Sequence, residues 1–184
     1  MTRITATALL CLLGAAPAAF AAESARSPYA GEQYREIKAL SGKEVQDLLA
    51  GRGMGLAKSA ELNRYPGPAH VLELSDRLGL SMEQKARSQS VFDAMEARSR
   101  ELGKALVERE AELDRLFATR EVTRATLESS LAEIAKLQGE LRGVHLEAHL
   151  AQTDILTAEQ VASYAELRGY GGMDHSGHGG GNRH

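Results

Sequence analysis

Two long stripes of apolar side chains, separated by one short break, constrain this chain more than any other feature. From Ser81 to about Ala118, Phe92, Met95, Leu102, Leu106, Leu113, Leu116 and Phe117 recur mainly at three- and four-residue steps. From about Val122 to Thr153, Leu127, Leu131, Ile134, Leu137, Leu141 and Val144 do the same. That period puts each set on one face of an α-helix. The other faces carry mixed charge with acid-before-base spacings such as Glu83/Arg87 and Glu96/Arg100, as a solvated helix surface does. At about 1.5 Å per residue each helix is roughly 45–55 Å long, too long for a compact globule of this size. The pattern therefore predicts an extended antiparallel helical hairpin that turns near Thr119 to Thr123. One hairpin leaves part of each stripe uncovered, so a second copy is expected to cover it in a homodimer. Gly103, Gly139 and Gly143 lie inside these helices, where each costs about 1 kcal/mol relative to Ala. Close backbone approach or bending at those points is the expected compensation.

Shorter helices flank the hairpin. Ser41 is placed to cap a helix running to about Ala50, with Glu44 reaching back and Leu40 packing on Val45. "GRGMG", Gly51 to Gly55, interrupts it. No strand precedes this run and no Gly-Lys-Ser/Thr follows, so it reads as a flexible connection rather than a phosphate loop. A short helical piece follows to about Leu62, and "YPGP", Tyr65 to Pro68, breaks the chain again. Pro68 suits the first turn of a helix, and that helix should end at Gly79 in a left-handed C′ position. A last helix starts at Thr157 and ends near Gly169. The fold class is all-α, with residues 41–169 forming the helical domain.

The ends differ in character. Arg3, the apolar run Ala6 to Ala16, and Ala19-Phe20-Ala21 have the form of a secretory signal peptide, residues 1–21, cleaved after Ala21. The run is too short to span a bilayer, and no second long apolar run exists. Residues 22–40 read as a flexible polar arm. Residues 170–184 form a Gly- and His-rich low-complexity tail that is expected to be disordered. The single cysteine, Cys11, leaves with the leader, so the mature chain has neither disulfide nor thiolate metal site. A formal charge of -3 gives no reason to expect nucleic-acid binding. With aromatics at 4% and no Trp, the core must consist mainly of Leu, Ala, Val and Ile.

Two helix starts repeat one pattern. Leu80-Ser81-Met82-Glu83-Gln84 and Leu156-Thr157-Ala158-Glu159-Gln160 each read Leu, Ser or Thr, any residue, Glu, Gln. Each is a capping box: the hydroxyl accepts from the N–H three residues on, and the Gln amide reaches back to the cap's N–H. A secretory leader, an all-α chain without mature cysteine, and two Leu-Thr-x-x-Gln elements around a long hairpin resemble the Spy/CpxP family. That group includes related heavy-metal sensors of the ZraP and CnrX type. The resemblance covers roughly Leu74 to Gly169, with the motif residues at Leu80, Ser81, Gln84, Leu156, Thr157 and Gln160. It implies a curved four-helix protomer paired into a cradle-shaped dimer, located in the periplasm. It also implies an ATP-independent chaperone or stress adaptor, whose partners are unfolded clients or the periplasmic domain of a sensor kinase. The slightly acidic charge departs from the basic cradle of the chaperone members.

His145 and His149 stand four apart, on one helix face about one turn from each other. Two such imidazoles can ligate a transition ion such as Zn, Cu or Ni. Leu146 follows the first, so the glutamate of a zinc-protease motif is missing. The pair also borders Leu141 and Val144, and histidines packed at a helix interface are the plainer reading. Met173, His175, His178 and His184 in the tail add donors of the same class. Metal-sensing relatives also use an N-terminal histidine pair, for which His70 with Glu73 is the nearest substitute here. No nucleophile stands at a spacing that would bring it to a base, so no enzyme is expected, and no cofactor is required.

Overall fold

The computed structural model describes residues 27–170. Residues 1–21, read above as a signal peptide, and the tail donors Met173, His175, His178 and His184 lie outside the described residues. Six α-helices follow one 3-10 turn at Glu32–Tyr34: α1 Gly42–Leu49, α2 Lys58–Glu61, α3 Pro68–Glu73, α4 Met82–Ala118, α5 Arg124–Thr153 and α6 Ala158–Leu167. No strand occurs among the described residues, and the all-α hairpin architecture is as the periodicity requires. No described helix is long and apolar enough to cross a membrane.

The helix starts are chemically explicit. Ser41, Ser81 and Thr157 each accept from the backbone N–H three residues on, while Glu44, Gln84 and Gln160 reach back to the cap. Thr123 and Thr126 build the same box at the start of α5, two residues beyond the Val122 start that the stripe suggested. Pro68 opens α3 as expected. That helix is shorter than its sequence suggested. After Glu73 the chain continues in turns to Gly79, which is left-handed at φ 62. Ser75 and Asp76, whose short polar side chains compete for backbone hydrogen bonds, disfavour continuation.

Two clusters make the core. Leu48, Leu102, Leu106, Ile134 and Leu141 join α1, α4 and α5 midway along the hairpin. Val71, Leu78, Leu80 and Tyr164 join α3, α6 and the segment before α4. Close approach explains one of the interior glycines. A Cβ on Gly103 would lie 2.1 Å from the Leu48 carbonyl oxygen, so only Gly lets the end of α1 rest on α4. Gly139 and Gly143 have open space in this chain, so close contact within the protomer does not account for them. Two stripe residues are also misplaced by the periodic reading. Phe117 is 55% and Leu131 50% exposed, because α1 covers the middle of the hairpin rather than its turn.

The end of the N-terminal arm packs onto the domain. Ile37 is buried. The Lys38 backbone N–H and ammonium both donate to the Asp114 carboxylate, at 3.1 and 3.0 Å.

Candidate functional site

The inner face of late α5 is polar where the stripe has run out. His145, His149 and Gln152 follow one another at four- and three-residue steps, and all three are buried. They meet matching polar groups on α4. The Gln152 amide donates to Ser88 Oγ at 2.9 Å. His145 Nε2 lies 3.3 Å from Ser99 Oγ. Ser88 and Ser99 are fully buried, so these pairs satisfy two hydroxyls that would otherwise be costly in the hairpin interior, while Gln152 Oε1 is buried without a partner.

The chain between α1 and α3 closes over the histidines. Arg52 ties the "GRGMG" loop back to α1: its N–H donates to the Asp47 carbonyl at 2.9 Å and its guanidinium to the Asp47 carboxylate at 2.8 Å. Lys43 pairs with the same carboxylate, and these two cations hold the Asp47 carboxyl below its ordinary range. Gly51 is left-handed at φ 68, and a Cβ there would come within 2.9 Å of the Glu96 carbonyl oxygen. The connection read as flexible is therefore a loop pressed onto α4. Gly53 faces the His145 ring, and Gly67 of "YPGP" faces the His149 ring, where a Cβ would stand 2.9 Å from Cε1.

Each imidazole has a defined anchor. His149 Nδ1 stands 2.7 Å from the Tyr65 carbonyl oxygen. Because that oxygen can only accept, the proton is on Nδ1 and the neutral ring keeps a lone pair on Nε2. Such a backbone anchor is what orients a metal-binding histidine. For His145, a proton on Nε2 donates to Ser99 and leaves the Nδ1 lone pair facing Gly53. Burial, reinforced by His149, pushes the His145 imidazole below its ordinary value, which favours the neutral, ligand-competent ring.

Glu61, at the end of α2, is the site residue that sequence reasoning missed. Its Oε1 accepts from Tyr164 Oη at 2.7 Å, Tyr170 Oη at 3.2 Å and Arg168 Nε at 3.3 Å. Its Oε2 is buried without a hydrogen-bond partner and lies 3.8 Å from His149 Nδ1. Tyr164 is completely buried; desolvation, then the Glu61 bond, drive its phenol far above its ordinary pKa. His70 also turns toward Glu61, with Nδ1 3.8 Å from Oε1. Glu73, the partner suggested by spacing, is exposed.

These groups share one cavity of about 440 Å³ whose wall includes Met54, Glu61, His70, Met95, His145 and His149. The structure thus brings the predicted helix pair together and adds Glu61, His70 and two thioethers. The anchored rings leave two imidazole lone pairs of the kind a transition ion takes, while Glu61 Oε2 lies 3.8 Å from the protonated Nδ1 of His149. Among the described residues, however, no group of three or more His, Cys, Asp or Glu is placed to hold an ion. The helix-cap residues are separate, forming the corner where α4 and α6 begin.

Residues 52–163 match the heavy-metal resistance family, Metal_resist. No curated protein and no solved structure matches the chain. The matched span is more than half of the chain and contains α2 to α5 with the whole cavity wall from Arg52 onward, so the chain belongs to that family.

Proposed function

We propose that this member of the heavy-metal resistance family is a non-catalytic, Spy/CpxP-like periplasmic protein that senses or buffers a transition metal. The observation that carries the reading is the buried His145/His149 pair, anchored on Ser99 and the Tyr65 carbonyl and facing a cavity shared with Glu61. His145 and His149 would hold the ion through the nitrogens that now face Gly53 and Gly67, the two glycines of the loops over α5. Ligation would thereby alter how residues 51–67 sit on the hairpin, a change that a sensor-kinase periplasmic domain could read. Met173, His175, His178 and His184 would supply further donors for the same class of ion. A homodimer through the exposed parts of the hairpin completes the proposal.

The test is calorimetric titration of the full chain with zinc, nickel and copper salts. His145→Ala with His149→Ala should weaken binding at least about tenfold, a loss of about 1.4 kcal/mol. Affinity that survives this change but vanishes when the tail donors are replaced would make the helix pair a packing feature only.

A second reading, an ATP-independent chaperone or adaptor, draws on the exposure of Phe117 and Leu131 near the hairpin turn. It requires the purified protein to slow aggregation of an unfolding client at stoichiometric amounts, and Phe117→Ser to weaken that effect.

A further inference from the structure

The cavity presents a donor set that does not match an ordinary divalent site. Among the described residues no third His, Cys, Asp or Glu joins the histidine pair closely enough to hold an ion. Glu61 has already committed Oε1 to two phenols and a guanidinium. Besides His70 and the carboxylates of Glu61 and Glu96, the wall carries two thioethers. Met95 lies one helical turn before Ser99 on α4, on the face that meets His145. Met54 adjoins Gly53, the residue packed on the His145 ring. Its backbone is left-handed at φ 42, and its side chain is 43% exposed at the cavity. A non-Gly residue in that conformation is uncommon and costs energy, so a methionine there is not explained by turn chemistry.

The charge balance points the same way. Arg52 and Lys58 line the cavity alongside Glu61 and Glu96. Arg52 is paired with Asp47, Glu96 with Arg100 and Glu61 with Arg168, which leaves no carboxylate on the wall without a cation beside it. An apolar, nearly neutral wall compensates a single positive charge far better than two, because desolvating an ion becomes much harder as its charge rises. Neutral imidazole and thioether are also the ligands that soft ions prefer.

Resting on the metal-binding reading above, we infer that this cavity is a site for a soft monovalent ion, cuprous or silver, held by His145, His149, Met54 and Met95 in preference to zinc or nickel. The methionines set the selectivity and the histidines the anchoring.

The experiment uses the full chain with Met173→Leu, His175→Gln, His178→Gln and His184→Gln, so that tail donors do not contribute. Silver ion and, anaerobically, cuprous ion are titrated against zinc in competition. Binding of one silver ion per chain, tighter than zinc, supports the inference. Met54→Leu with Met95→Leu, which preserves side-chain volume, should weaken silver at least about tenfold and leave zinc unchanged. A sulfur scatterer in the X-ray absorption spectrum of the cuprous complex, lost in that double variant, provides a readout independent of affinity. Zinc binding tighter than silver, or silver binding indifferent to both methionines, overturns the soft-ion selectivity while leaving a metal site at the histidines. Absence of binding by any of these ions overturns the metal-site reading itself, and the selectivity with it.

Discussion

Gln84 and Gln160, 76 residues apart, each donate an amide hydrogen bond to the other's side-chain oxygen, at 2.8 and 3.1 Å. Each oxygen also accepts from its own cap, Ser81 or Thr157, and each amide has a second acceptor in Ile155 O or Leu78 O. The repeated motif is therefore more than two good helix starts. It is one interlocked joint that fixes α6 against the beginning of α4. Gln84→Ala or Gln160→Ala should each cost about 1–3 kcal/mol, because every change leaves partly buried partners unpaired. A double-mutant cycle read by urea unfolding should give about 0.5–3 kcal/mol of coupling. Strict additivity would mean that the reciprocal pair contributes nothing beyond the two separate caps.

Gly103→Ala and Gly139→Ala should move stability in opposite directions. The first places a Cβ against the Leu48 carbonyl, which cannot yield without moving α1. A loss of about 1–3 kcal/mol is expected despite the better helix propensity. The second meets open space and should gain about 0.5–1 kcal/mol from lower unfolded-state entropy. Thermal melts at several protein concentrations test both. A loss at Gly139 that grows with protein concentration would place that glycine in a contact between copies.

The hairpin was legible because a long regular period survives any local irregularity, and the caps because their chemistry spans only three residues. Glu61 was not legible. It sits at the end of the four-residue α2, too short to show a period, and its partners Tyr164 and Arg168 are 103 and 107 residues away. Ser88 and Ser99 were hidden for a different reason. Small polar residues on a charged helix look solvated until Gln152 and His145 arrive from the other helix. The histidine pair was visible as a pair, but its anchoring on a distant carbonyl in "YPGP" was not.

Tyr164→Phe isolates the Glu61 node. The variant keeps the buried ring and removes the donor 2.7 Å from Oε1. A bond to a carboxylate is worth about 1.5–3 kcal/mol, and a loss in that range by urea unfolding is expected. Tyr170 and Arg168 still reach the same oxygen, so the carboxylate is not abandoned and the chain should remain folded. Since the Tyr164 phenol is raised far above its ordinary range by burial and by Glu61, ultraviolet titration of the wild type should show one tyrosine that ionises only as the protein unfolds.

Acidification should destabilise the fold through His145. Its ring is 3% exposed, and burial, then the neighbouring His149, lower its folded-state pKa below the ordinary 6.5. The unfolded chain therefore binds a proton at a pH where the folded chain does not. Stability from this group is fully present above about pH 6.5 and falls as the pH drops through the unfolded value toward the lower folded one. The slope for one such proton is at most about 1.4 kcal/mol per pH unit. Glu44 and Asp47 are lowered carboxylates, and their contribution is lost at lower pH, outside this window. Urea melts at about pH 7.5 and about pH 5.5 should differ in the wild type, and the difference should shrink in His145→Gln, which has no titrating ring. The expected sign is a lower midpoint in acid. An unchanged pH dependence in His145→Gln would show that this imidazole is not held neutral by the fold.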